Sequence, residues 1–99
     1  MMLRKSDLVN YFISGCKSSD NLKIGTEHEK FIFHRNNYKV IPFKGDVSVT
    51  RILEFFNGYG WKSIFEGENV IALTKDKASI TLEPGGQLEL SGAPLNTVH

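Results

Sequence analysis

Between Trp61 and Leu90 the chain alternates four short apolar runs with three turn-rich breaks. The runs are Trp61-Lys62-Ser63-Ile64-Phe65, Asn69-Val70-Ile71-Ala72-Leu73, Ala78 to Leu82 and Gln87-Leu88-Glu89-Leu90. Between them lie Glu66-Gly67-Glu68, Thr74-Lys75-Asp76-Lys77 and Pro84-Gly85-Gly86. Such runs read as strands, and connections this short allow only antiparallel neighbours. Two helices are expected beside them. Val49, Ile52, Leu53 and Phe56 fall at i, i+3, i+4 and i+7 behind the capping candidates Asp46 and Ser48, with Gly58 and Gly60 as the stop. Leu8, Val9, Phe12 and Ile13 form one face of an earlier helix, capped by Ser6 or Asp7 and ended by Gly15. Leu22 to Phe33 reads as a further strand, turning at Arg35-Asn36-Asn37 into Tyr38 to Ile41, which Pro42 closes. The fold class expected is α+β: an antiparallel sheet with helices packed on one face.

At 99 residues the chain makes at most one domain, hiding roughly 65% of the surface its unfolded form exposes. That leaves little depth for a water-free site of its own. A net charge of +1, with Lys and Arg scattered among Asp and Glu, provides no basic stripe for nucleic acid. The first residues lack a sustained apolar run of signal-peptide length, and no window offers about 18 consecutive apolar residues for a membrane span. One cysteine, Cys16, forms no internal disulfide, and this sets the expectation of a reducing cytoplasm.

Against this background two blocks stand out. Gly25-Thr26-Glu27-His28-Glu29-Lys30 and Thr81-Leu82-Glu83-Pro84-Gly85-Gly86-Gln87-Leu88-Glu89-Leu90 carry carboxylates at alternate positions within strand-like sequence. Alternation puts Glu27 and Glu29 on one face, about 7 Å apart, with His28 and Lys30 on the other. Glu83 shares its face with Thr81, and Gln87 shares one with Glu89. Should the two blocks lie on neighbouring strands, several acids and an amide line one surface, where protons or divalent cations must offset their repulsion. Oxygen ligands without a Cys or His set favour Mg²⁺ over zinc, and Mg²⁺ held by one or two carboxylates commonly bridges to nucleotide phosphates, so phosphoryl transfer is the chemistry implied.

Each of these residues also has a plainer reading. Glu27 and Glu29 can be the solvated face of an edge strand. His28 can be a packing residue, and Cys16 an ordinary thiol at a helix end. Trp61, Phe31, Phe33, Phe55 and Phe56 read as core.

Ile24-Gly25-Thr26-Glu27-His28-Glu29-Lys30-Phe31, the Gly60-Trp61 pair and Ser79 to Pro94 together resemble glutamate–cysteine ligase of the plant and α-proteobacterial type, over about Leu22 to His99. The resemblance implies an ATP-dependent ligase that joins glutamate to cysteine through a γ-glutamyl phosphate, the first step of glutathione synthesis, on a glutamine-synthetase-like sheet. It makes Glu27, Glu29 and Glu89 metal-facing acids with catalytic roles. Glu83 and Gln87 become contacts to metal or substrate. Mg²⁺ and ATP are the cofactor and co-substrate implied. Ile32 departs from the small residue common in that family between Phe31 and Phe33, a matter of packing. Members of the family are several times longer, so residues 1–99 are expected to form the N-terminal portion of one glutamine-synthetase-like domain, incomplete at the C-terminus. The partner implied is the remaining part of the same ligase, which would supply the basic residues for phosphates and substrate carboxylates. Redox control by cysteine pairs finds no support in a chain with one cysteine. The competing readings are a non-catalytic remnant that keeps weak Mg²⁺ or nucleotide affinity, and a carboxylate–amine ligase for another amino acid.

Overall fold

Local sequence chemistry sets most of the elements seen in the computed structural model, which describes residues 2–99. Helix α1 spans Lys5–Ser14 and helix α2 spans Val49–Phe55. The strands are β1 (Glu27–Lys30), β2 (Lys62–Glu66), β3 (Asn69–Lys75), β4 (Ala78–Leu82) and β5 (Leu88–Ser91). They form one antiparallel sheet in the order β1-β5-β4-β3-β2, so the first strand joins the far edge beside the last.

The three short connections behave as their residues require. Gly67 (φ 60°) and Asp76 (φ 53°) take the left-handed conformation at the β2–β3 and β3–β4 turns. Asp tolerates it because its short polar side chain can bond locally. At the β4–β5 turn Gly86 (φ 85°) donates its N–H to the Glu83 carbonyl at 2.9 Å, and the Glu83 N–H bonds the Gln87 carbonyl at 2.9 Å. A β-branched residue at position 86 would be strained.

Helix α2 starts as expected from Ser48, whose hydroxyl accepts the Arg51 N–H at 3.3 Å and donates to the Gly45 carbonyl at 2.8 Å. Ser48 is itself almost fully enclosed. Its replacement by alanine removes a cap and orphans buried groups, so Ser48→Ala should lower unfolding free energy by about 1–2 kcal/mol in urea titrations. A 3₁₀ turn over Phe56–Tyr59 then runs into Gly60, left-handed at φ 85°, which ends the helical path.

Beneath α2 the core gathers Ile41, Val49, Leu53, Val70, Leu73, Ile80 and Leu88, with Leu53 and Leu73 wholly inaccessible to solvent. The β3–β4 register sets Leu73 opposite Ile80, and β4–β5 sets Leu82 opposite Leu88. One face of the sheet is thereby apolar, and α2 covers it over β3 while leaving the β5–β1 side open.

Several expectations need correction. Among the described residues α2 is the one α-helix that packs on the sheet. Helix α1 buries none of its residues, and its apolar face stays in solvent, with Phe12 75% exposed. Its N-cap is Arg4 rather than Ser6 or Asp7, because the Asp7 carboxylate reaches back one turn to accept the Arg4 N–H at 2.9 Å. The strand expected over Leu22 to Phe33 narrows to β1, with a single extra bridge between Ile24 and Leu95. The strand expected at Tyr38 to Ile41 reduces to one bridge, Phe33 to Val40, across the Arg35-Asn36-Asn37 turn. Among the aromatics read as core, Phe56 and Trp61 pack against it, whereas Phe31, Phe33 and Phe55 are exposed. Their hydrophobicity was correctly read; what is absent is anything to cover them.

Candidate functional site

The uncovered face of the sheet is where the two carboxylate blocks meet. The β1–β5 register places Glu29 directly opposite Glu89 and Glu27 opposite Ser91, while β4 brings Thr81 opposite Glu89 from the other side. Strands of opposite direction with a period of two put all of these side chains on the same face, away from α2. His28 and Lys30 point to the other face, as alternation requires.

Like charges set directly opposite each other across an antiparallel pair repel. Here the repulsion favours the protonated form of Glu29. Its carboxyl is held above the usual carboxylate range, first by its hydrogen bond with Glu89, then by partial desolvation, and then by the charges of Glu89, Glu83 and Glu27. No lysine or arginine pairs with any of the four acids among the described residues; the ion pairs present there are Arg4–Asp7 and Arg51–Glu54.

Two hydroxyls orient these acids, and the sequence reading gave neither of them a role. Thr81 Oγ1 donates to Glu83 Oε1 at 2.7 Å, and Ser91 Oγ donates to Glu89 Oε1 at 3.0 Å. Both act across i, i+2 on one strand, a spacing visible in the sequence once the face is known. Gln87 behaves differently from the carboxylates. Its amide lies where a Cβ at residue 85 would sit, and its Oε1 is enclosed without a hydrogen-bond partner. A side chain at residue 85 would displace the Gln87 amide from this position, since Gly85 has no positive φ of its own to forbid one.

Of the residues expected to bind metal, Glu29 and Glu89 are in contact, and Glu27 stands one same-face position away. Among the described residues no three His, Cys, Asp or Glu side chains gather tightly enough to enclose an ion by themselves. The donor set still fits a hard divalent cation of the Mg²⁺ type. It consists of carboxylate oxygens, lacks a counter-charge, and disfavours the charged form of Glu29, a cost that a bound cation would offset. Mg²⁺ is commonly held by one or two carboxylates, with waters and phosphates completing the shell.

The raised proton affinity of Glu29 gives a signed pH dependence. An acid whose pKa is raised by folding binds its proton more tightly in the native state, so its contribution to stability is full at low pH. That contribution is lost as pH rises from the ordinary glutamate range through the raised value. In metal-free buffer the Glu29→Gln chain, which lacks this group, should melt above the wild type at pH 7.5. The gap should close toward pH 5. A gap independent of pH would show that Glu29 carries no such strain.

Comparison with known proteins identifies the family to which these blocks belong. Residues 23–99 match the family described as glutamate–cysteine ligase family 2. Similar curated proteins are the chloroplastic glutamate–cysteine ligase of Medicago truncatula, 46% identical over 101 residues, and that of Arabidopsis thaliana, 48% identical. A third is glutamate–cysteine ligase A, chloroplastic, of Oryza sativa subsp. japonica, 50% identical. Each alignment covers 98% of this chain but only 18–19% of the relative. The chain thus spans about a fifth of the length of the curated relatives it matches. All three are named chloroplastic, which overturns the expectation of a cytoplasmic protein. A lone cysteine signals a reducing environment and does not separate one such compartment from another. Among the described residues no helix is long and apolar enough to cross a membrane.

Proposed function

This chain belongs to glutamate–cysteine ligase family 2, and from that premise we propose that its acidic sheet face is one wall of a ligase active site that needs further chain to be complete. The reaction proposed is the ATP-dependent joining of the γ-carboxylate of L-glutamate to the amine of L-cysteine, the first step of glutathione synthesis. The site would lie on a glutamine-synthetase-like sheet. The observation that carries the proposal is the Glu29–Glu89 pair, facing solvent, uncompensated by any cation, and flanked by Glu27 and Glu83.

Chemically, the face suits the electrophilic half of such a reaction. Transfer of the γ-phosphoryl of ATP to the glutamate carboxylate would form an acyl phosphate, which the cysteine amine attacks with loss of phosphate. Mg²⁺, when bound, would neutralise phosphate charge in both steps. On this chain Glu29 and Glu89 would hold that cation, with Glu27 as the adjoining acid. Glu83, fixed by Thr81, and Ser91, fixed on Glu89, would keep the carboxylates aimed at the solvent side of the sheet. Gln87 and Gly85 shape the turn beside them. Among the described residues Lys62, on the far edge strand β2, is the one basic side chain of the sheet set on this face, too few to bind the phosphates and the substrate α-carboxylates, so the proposal calls for the remainder of a ligase.

The direct test uses a chimera in which this chain replaces its matched span in the Medicago truncatula relative. ATP hydrolysis that requires Mg²⁺, glutamate and cysteine together is expected from the chimera, and none from the 99-residue chain alone. A folded chimera that hydrolyses ATP without regard to cysteine would point to a carboxylate–amine ligase for another acceptor. A folded but inactive one would support the non-catalytic remnant.

A further inference from the structure

The opposite side of the sheet, beside α2, carries an open groove of about 850 Å³. Its floor is Ile52, Phe56, Ile80 and Leu88, which continue the core outward, and Phe31 and Phe33 wall it with stacked rings 6.4 Å apart. The charged groups around it are Lys30 and Arg35, with His28 and His34 beside them; no acid lines it. It therefore calls for an occupant that is apolar in the middle and negatively charged at its margins.

The exposed surface of the chain narrows the kind of occupant. The chain exposes 8331 Å², whereas a compact protein of 11.2 kDa exposes about 5,700 Å². The excess, roughly 2,600 Å², belongs to the whole chain, undocked α1 included, and is about three times what one partner buries in a standard interface. The radius of gyration agrees: 18.4 Å, against about 13 Å for a compact chain of this length. A small ligand seated in the groove would leave most of that surface exposed. A second copy brings the same basic rim to the interface and matches it poorly. The relatives, in contrast, are about five times longer than this chain. We infer that the groove seats an apolar segment flanked by carboxylates, drawn from the four-fifths of the ligase that this chain does not span. β1, the edge strand bordering the groove, leaves its outer side free for the same segment to extend the sheet. This rests on family membership and on the need for further chain, but not on the chemistry of the acidic face.

A thiol reporter tests it independently of catalysis. In a Cys16→Ser background, Phe33→Cys is labelled with a maleimide in the 99-residue chain and in the chimera. Tyr38→Cys, at the same groove and 80% exposed, serves as a second reporter should Phe33→Cys fail to fold. Labelling is expected to be at least tenfold slower in the chimera. Adding Lys30→Glu and Arg35→Glu should restore it, since the carboxylates of the seated segment would then be repelled. Equal labelling rates in chain and chimera would overturn the inference, as would protection in the 99-residue chain that rises with its concentration, the mark of a second copy. A chimera in which this chain stays unfolded would overturn it too. An active chimera with a freely labelled thiol would sink the groove and spare the ligase; a protected but inactive chimera would do the reverse.

Discussion

Glu29→Gln or Glu89→Gln in the chimera should lower turnover by about a hundredfold or more, while its melting temperature stays level or rises. The size follows from what a single preorganised charge-stabilising group is worth in a transition state, roughly 3–4 kcal/mol. The opposite sign for stability follows from the structure. Each residue faces a like-charged partner across the β1–β5 pair, and a neutral amide of the same shape removes that repulsion. A structural carboxylate, satisfied by a cation or buried in the core, would lose stability and activity together. Thermal melts and steady-state rates on the same preparations therefore separate the two roles. Equal losses in both would remove Glu29 and Glu89 from the metal site and leave them as fold residues. The double substitution sharpens the test: if one ion spans both carboxylates, the second change should cost far less than the first, because residues acting as a unit are not additive.

The largest stability effect belongs to the other face. Leu53→Ala should cost about 3–5 kcal/mol and leave the isolated chain largely unfolded at room temperature. Leu53 is wholly enclosed between α2 and the sheet, and truncation loses both the transfer free energy of the side chain and the contacts around the resulting void. Domains are typically stable by only about 5–15 kcal/mol, and one with seven apolar residues in its central cluster and so much surface left open belongs at the low end. Phe12→Ala is the contrasting case. Its ring is larger, yet α1 buries nothing, so the change should stay within about 0.5 kcal/mol. Urea unfolding of the two variants measures the difference. A comparable loss at Phe12 would mean that α1 is docked in solution.

The sequence alone was sufficient wherever the controlling physics is local. Turn residues at Gly67, Asp76 and Gly86 delimit β2 to β5, and the helical spacing of Val49, Ile52 and Leu53 behind Ser48 locates α2 within a residue or two. Alternation likewise put Glu27 and Glu29 on one face and His28 and Lys30 on the other. A period of two is a property of the backbone and needs no knowledge of partners.

What only the tertiary structure decided is which strand lies beside which, and what is left bare. That β1 pairs with β5, more than fifty residues later, is a long-range choice that no local spacing encodes. It turns two separate acidic blocks into one pair of facing carboxylates, Glu29 and Glu89, and sets Glu27 opposite Ser91. Burial is decided the same way. Phe31, Phe33 and Phe55 read as core because they are apolar, but an apolar side chain is buried only where another element is present to cover it. Among the described residues α2 is the one helix that does so.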